Sequence, residues 1–416
     1  MIFASVVSGF GLTDFLWVSG LCALAALVLL WPRSQRTQRV QCIVFIAIGL
    51  MCLAFAWIRG HGEIPIRQLL TQNHLLISLL CAVSFLRLIT DTRAASGKTP
   101  KTGENAFLQT ISGLHFFSSV INLSALIIFG DALSRNQKLG RTTATSLQRG
   151  FSLAALWSPF FAAMGTCLLY APGTRLPDLW KLSIPLCLFG LVFTWAEHRF
   201  RSTGGLGTFE GYPVNFRALW VPSLMVVCVL GANSIFPEVS VLVLVSALSV
   251  LVTATVIAAR ESLSQAIATV RNFSYRRLPD MYGELILFFS TGIMATGISA
   301  LVAVTQPALN VVGFTPGIAI SLLAILLFLA VVGVHAIVSI VAASAIIIPL
   351  NPEPAILALI FLVSWSVGAT GGPISGLNLA MQSRYGVTMR QCFTWNLRYT
   401  LAMFTGTSII LLIALD

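Results

Sequence analysis

Charge is what this sequence has least of. Only 9% of its 416 residues are charged, against about 25% in an ordinary soluble chain. That scarcity excludes a water-soluble enzyme and a disordered protein. It also excludes a nucleic-acid binder, in spite of a net charge of +11, because the few charges form no basic face. Cysteine is present but unpaired in pattern. Seven of the eight lie inside apolar runs and none forms a C-x-x-C, so a disulfide scaffold is excluded. The five histidines are scattered, with no H-E-x-x-H, and no Walker A motif occurs. No metal centre and no cofactor are therefore expected, and the chain itself is not expected to hydrolyse ATP. No Lys or Arg precedes the first apolar run and no A-x-A site follows it. Phe15–Trp31 is expected to be a retained span and not a cleaved signal.

What is present is apolar length. Hydrophobic residues make up 57% of the chain and mean hydropathy is +0.90. A span needs about 20 mostly apolar residues. The chain has room for roughly ten to twelve with short connections, which predicts an all-α polytopic membrane protein. The basic connectors are Arg33–Arg39, Arg87–Lys101, Arg135–Arg149, Arg199–Arg217, Arg260–Arg277 and Arg384–Arg398. The positive-inside rule places all six in the cytoplasm. Gln306–Pro316 carries no charge and is expected outside, as is the N-terminus. One conflict stands: if Phe107–Gly130 crosses once, Arg135–Arg149 lands on the wrong side. No connector is long enough for a soluble domain; the longest, Arg260–Tyr282, suits an amphipathic surface helix.

The two halves, 1–200 and 218–416, share short matches. Phe116-Phe117-Ser118 recurs as Phe288-Phe289-Ser290. Ser124-Ala125-Leu126 recurs as Ser299-Ala300-Leu301. Ala155, Ser158 and Ala162 have the spacing of Ala336, Ser339 and Ala343. Either these are chance among common membrane residues or they mark the two inverted repeats of a secondary transporter.

Three segments can carry chemistry. Gly368 to Asn378 holds four glycines and a proline, which cannot maintain a regular helix. Irregular backbone at membrane depth is tolerated only inside protein or beside a watery cavity. Its carbonyls, with the side chains of Thr370, Ser375 and Asn378, suit a small polar solute or Na⁺. Gly368, Thr370 and Gly372 are the candidate cation ligands. The second segment, about 150–173, is interrupted at Trp157-Ser158-Pro159 and reads as a first hairpin or a kinked span, with Ser158 at the break. The third, about 333–352, reads as a second hairpin with Ser339 near its turn. His335 is an ionisable group deep in an apolar run and a candidate for ion coupling, while His115 sits similarly in the first half. Among cations Arg149 is the first candidate to meet an anion, ahead of Lys181 and Arg398, which can equally snorkel to the interface. The fourteen acids avoid the middle of every run, which argues against a deep carboxylate proton relay.

These segments resemble the ion transporter superfamily, which includes the divalent anion/sodium symporters and the large membrane subunits of tripartite transporters. Gly368–Asn378 resembles the helix break of their second half. Ser339-Ile340-Val341 and Trp157-Ser158-Pro159 stand where their hairpins lie, although the usual Ser-Asn-Thr tips are absent. The resemblance implies a two-repeat, elevator-like carrier, often a homodimer; from the residues themselves, coupling to Na⁺ held by carbonyls and hydroxyls or to H⁺ through His335 is expected. The expectation is a secondary transporter of a small, anionic solute in a bacterial inner membrane, surrounded by lipid and without nucleic-acid partners. The alternatives are a membrane enzyme acting on lipid-linked substrate, such as a glycan polymerase or ligase, and a membrane subunit of a multi-component transporter.

Overall fold

The computed structural model describes all residues except 61–64, 91–100, 136–137, 202–204, 215–219, 306–312, 374 and 416. Most of the uncharged connector expected outside, parts of the basic connectors 87–101 and 199–217, and Ile374 of the glycine-rich stretch lie outside the described residues.

The described residues are 81% helical, and this is an all-α polytopic membrane protein. The helices are, in order, α1 (Ile2–Gly9), α2 (Leu16–Leu30), α3 (Arg36–Ile58), α4 (Ile66–Thr71), α5 (His74–Ser84), α6 (Glu104–Ile121), α7 (Leu123–Leu133), α8 (Arg141–Ala154), α9 (Ala162–Tyr170) and α10 (Leu176–Arg201). They continue as α11 (Trp220–Ile235), α12 (Val241–Arg260), α13 (Leu263–Arg276), α14 (Tyr282–Thr305), α15 (Pro316–Val331), α16 (Ala336–Ile347), α17 (Pro354–Gly371), α18 (Gly376–Tyr385) and α19 (Met389–Leu415). Among the described residues eight segments are long and apolar enough to span a bilayer. Shorter apolar helices, among them α7, α11 and α15, accompany these.

The chain forms two compact units. The first comprises Met1–Ile89, Leu224–Val312 and Val341–Leu350. Its centre is the pairing of α3 with α14. Small residues permit the approach: a Cβ on Gly49 would lie 2.6 Å from the Ile293 carbonyl oxygen, and one on Gly297 would collide with the Gly49 backbone. Polar side chains add links where hydrocarbon offers none. Ser5 Oγ sits 2.9 Å from Ser19 Oγ and 2.8 Å from Ser78 Oγ, and Asn73 donates to the Phe288 carbonyl at 2.7 Å.

The second unit comprises Thr90–Ser223, Gly313–Ile340 and Asn351–Asp416. Here α6 and α7 are not one span. Asn122 between them takes φ 49°, a left-handed conformation that asparagine tolerates, and α7 turns back along α6. The Phe117 and Phe129 rings are 6.1 Å apart; in a continuous helix the two residues would be separated by about 18 Å. Arg384, in the last basic connector, grips Asp131 near the end of α7 through two hydrogen bonds of 2.6 Å. The run from 107 to 130 is therefore two helices folded back on each other and not one continuous span. A returning run would leave the basic start of α8 on the side that α6 enters from, as the positive-inside rule requires.

Five elements recur in this order. Glu104 and Pro316, Leu123 and Ala336, Arg141 and Pro354, Ala162 and Gly376, and Leu176 and Met389 begin corresponding helices, each pair about 213 residues apart. Packing follows the same relation. As α6 lies on α8, so α15 lies on α17; as α8 lies on α10, so α17 lies on α19. The pairs α8 with α17 and α10 with α19 each join an element to its own counterpart, the signature of a two-fold relation. Three apolar helices, α11, α12 and α14, lie between the two series in the chain. The short sequence matches do not follow this spacing. The break after α8 corresponds to the break after α17, each with a proline (Pro159, Pro373), and not to Ala336–Ala343.

With α6 and α7 returning on each other, the basic starts of α8 and α19, both in this unit, are expected on one side of the membrane. Single cysteines placed at Lys138 and Arg390, in a background lacking the eight native ones, are expected to react with an impermeant maleimide from the same face. Cysteines at Thr174 and Glu353 are expected to react from the other face. Opposite labelling of the Lys138 and Arg390 positions would mean that 104–133 crosses the bilayer.

Candidate functional site

The chemistry of the second unit gathers where its two broken helices cross. The Ser366 hydroxyl on α17 donates to the Ser152 carbonyl on α8 at 2.7 Å. Ser152 and Ser366 stand at corresponding positions of the two series. Each precedes its helix break by a few residues: α8 ends at Ala154 and α17 at Gly371.

The first break is held by the turn between α6 and α7. Ser158 donates to the Ser119 carbonyl and accepts from the Phe160 amide at 3.2 Å. Asn122 donates to the Phe160 carbonyl, also at 3.2 Å. His115 braces the same segment. Its Nε2 accepts from the Trp157 indole at 2.9 Å, which fixes the proton on Nδ1, 3.1 Å from the Gly150 carbonyl. Trp180 closes the ring of contacts by donating to the Trp157 carbonyl at 2.8 Å. Ser158 and His115 are thus spent on holding backbone that a helix no longer satisfies.

The second break is held differently. Ser375 caps α18, accepting from the Asn378 amide at 3.1 Å while its hydroxyl donates to the Ala369 carbonyl at 2.6 Å. The Asn378 side chain donates to the carbonyls of Thr370 (3.0 Å) and Gly372 (2.8 Å). Gln382 takes the Pro373 carbonyl at 3.1 Å. A Cβ on Gly372 would lie 2.7 Å from the Ala330 carbonyl oxygen and one on Gly368 would lie 2.9 Å from the Ala330 Cβ. Glycine at both positions lets the end of α15 seat against the break.

From Asn378 a single directed chain of hydrogen bonds runs inward. Its Oδ1 accepts from Gln148 at 2.5 Å. Gln148 Oε1 accepts from Asn396 at 2.9 Å, and Asn396 Oδ1 accepts from Arg149 Nε, also at 2.9 Å. Arg149 Nη1 donates to Glu197 at 2.6 Å and Nη2 to the Trp395 carbonyl at 3.1 Å. Its guanidinium lies 4.8 Å from the Tyr399 ring centre. The Arg149, Asn378, Asn396 and Gln148 side chains are fully buried. Arg141, half-exposed, reaches the other Glu197 oxygen only at 3.8 Å.

Of the residues selected from sequence, the structure joins Arg149, Thr370, Ser375 and Asn378 in this network, with Gly368 and Gly372 in the break it braces. Ser158 belongs to the other break. His335 sits in the turn after α15, accepting from the Ile337 amide at 3.3 Å with its ring edge-on to Trp365 at 5.5 Å. Ser339 is buried and its hydroxyl has no hydrogen-bond partner. Lys181 pairs with Asp178 at 2.7 Å on an exposed surface, and Arg398 is exposed. Three members of the network escaped the sequence reading: Gln148, Glu197 and Asn396. Glu197, which follows the apolar run 179–196 in sequence, is 9% exposed and lies inside α10. A visible signal existed for Gln148, which adjoins Arg149 on a strongly amphipathic helix.

No family model matches the chain, and no curated protein matches it. Among solved structures it is similar to the crystal structure of the Alcanivorax borkumensis YdaH transporter, whose description reports an unusual topology. The TM-score is 0.50 at 12% identity, over 90% of this chain and 98% of that one. What is shared at that identity is the fold.

Breaking a buried ion pair by removing one partner costs about 3–5 kcal/mol, whereas replacing both is close to neutral. Arg149→Met is therefore expected to destabilise the protein in detergent by about 3 kcal/mol or more. Arg149→Met with Glu197→Gln should recover at least half of that loss. Equal unfolding midpoints for the single and double variants would show that the pair is not energetically coupled.

Proposed function

We propose that this protein is a secondary transporter of a small solute, with the two helix breaks of the second unit forming the site. The observation that carries the proposal is the crossing at Ser152 and Ser366. Two discontinuous helices, related by a two-fold repeat, meet immediately before their breaks. Discontinuous helices at a repeat interface near the midplane are how many secondary transporters bind solute and coupling ions. The fold likeness to the YdaH transporter supports the same class.

The finer reading follows from the chemistry. Arg149 is matched by Glu197, so it braces the site and does not present a free charge to solute. Solute recognition falls on the two breaks, where the backbone beside Ser158, Thr370, Gly372 and Ser375 supplies neutral donors and acceptors, and the three hydroxyls, each already donating to a carbonyl, keep acceptor capacity. Ser339 lies on the helix after the corresponding turn. Na⁺ is the coupling ion that suits carbonyls of Gly368, Thr370 and Gly372, and His335 offers the proton route. The net charge of +11 favours an anionic solute by raising its local concentration. Elevator-like alternating access, a homodimeric assembly and residence in a bacterial inner membrane complete the proposal.

A thermal-shift screen of the purified protein against small anions, with and without Na⁺, tests it. A ligand at 100 times its Kd adds about 2.7 kcal/mol to apparent stability, so a hit that appears only with Na⁺ is the expected result. In proteoliposomes that solute should be carried by the wild type and not by Asn378→Ala or Ser375→Ala, both still inserted. Wild-type flux in the two variants would remove the site assignment.

A further inference from the structure

In the first unit α13 stands apart from every other helix in composition. It lies in the basic connector between two spans, α12 and α14, and is about 21 Å long. One face is held by protein: Ala266 is buried, and the Phe273 ring packs 4.9 Å from that of Phe85. Most of the remainder is exposed, and one ridge of it is largely apolar. Leu263 is 69%, Ile267 61% and Tyr275 79% exposed. With Arg271 between them, these residues follow each other at intervals of four, which puts them along one ridge of the helix. From Leu263 to Arg277 there are three arginines, Arg271, Arg276 and Arg277, and no acid. Arg277 has one weak ion pair, to Asp280 at 3.9 Å.

A surface that is apolar along a ridge and cationic beside it fits neither water nor bilayer interior. Both features are met together at the headgroup level of an anionic leaflet. There the apolar side chains enter the acyl boundary while arginines reach phosphate. We propose that α13 is an interfacial anchor that binds anionic phospholipid headgroups through Arg271, Arg276 and Arg277. The charge complementarity also agrees with the positive-inside rule, which sets a basic connector such as that of α13 against the leaflet where anionic lipid attracts it. The inference is independent of the transport proposal, because it concerns other residues and needs no solute.

Hydrogen exchange of the full-length protein in nanodiscs tests it. Amides of residues 263–277 are expected to exchange at least roughly tenfold more slowly when phosphatidylglycerol is added to phosphatidylcholine. High salt should weaken that protection. The Arg271→Gln/Arg276→Gln/Arg277→Gln variant should lose it, while exchange in α12 and α14 stays at the wild-type rate as a control for folding. Equal exchange in the two lipid compositions would overturn the proposal. So would protection that tracks two protein copies per disc in phosphatidylcholine alone, which would make the ridge a contact between copies.

Discussion

Everything in the second unit depends on one constraint: backbone that leaves the helix inside a membrane must find hydrogen-bond partners within the protein. α17 ends at Gly371, and the carbonyls of Ala369, Thr370, Gly372 and Pro373 stand where no lipid can satisfy them. The Asn378 amide takes two of these carbonyls, Ser375 and Gln382 take two more. What remains is to keep the Asn378 amide pointing the right way. Gln148 does so by donating to its oxygen. Each later member fixes the one before it, until the chain ends on the Arg149–Glu197 pair. A buried charge pair by itself is weak evidence of stability. Here its effect is orientation, because a guanidinium that donates to Asn396 leaves no freedom in which way the two following amides face.

The two repeats answer the same constraint with different chemistry. The break after α8 is held by its own Ser158 hydroxyl, which donates to α6, and by the Asn122 amide and His115 imidazole beside it. The break after α17 is satisfied by a chain of amides rooted in an ion pair. The positions about 213 residues beyond Gln148 and Arg149 are Phe361 and Leu362, so the repeat contains no second copy of that chain. Backbone geometry is duplicated while side-chain bracing is not.

That division explains what could be read from sequence. The breaks were legible because Gly and Pro are punctuation with a physical cause, and Gly368–Asn378 announces itself. Arg149 was legible as an ionisable group beside an apolar run. Glu197 and Asn396 were not, because hydropathy measures distance from a run's end along the chain. It does not measure how far neighbouring helices extend past that end. The return of the chain at Asn122 was hidden for another reason. A single left-handed residue makes the turn, and the apolar run passes through it without interruption. Its one trace was the basic stretch that a single crossing would have put on the wrong side.

On the proposed function, the unequal bracing has a consequence for alternation between two states. A two-fold repeat offers two arrangements in which the halves exchange conformations, and identical halves would make those arrangements equal in energy. The amide chain and its ion pair hold only one half, so they bias which arrangement the empty protein adopts. The bias must be small enough for solute and coupling ion to overcome, since a ligand shifts a population only by its difference in affinity between the states. A chain of neutral amides suits that requirement. It can be remade bond by bond around a moved break, and its one charged pair need not leave its partner. A free carboxylate or guanidinium in the same place would hold the break far more tightly or, unpaired, would not stay in the membrane at all.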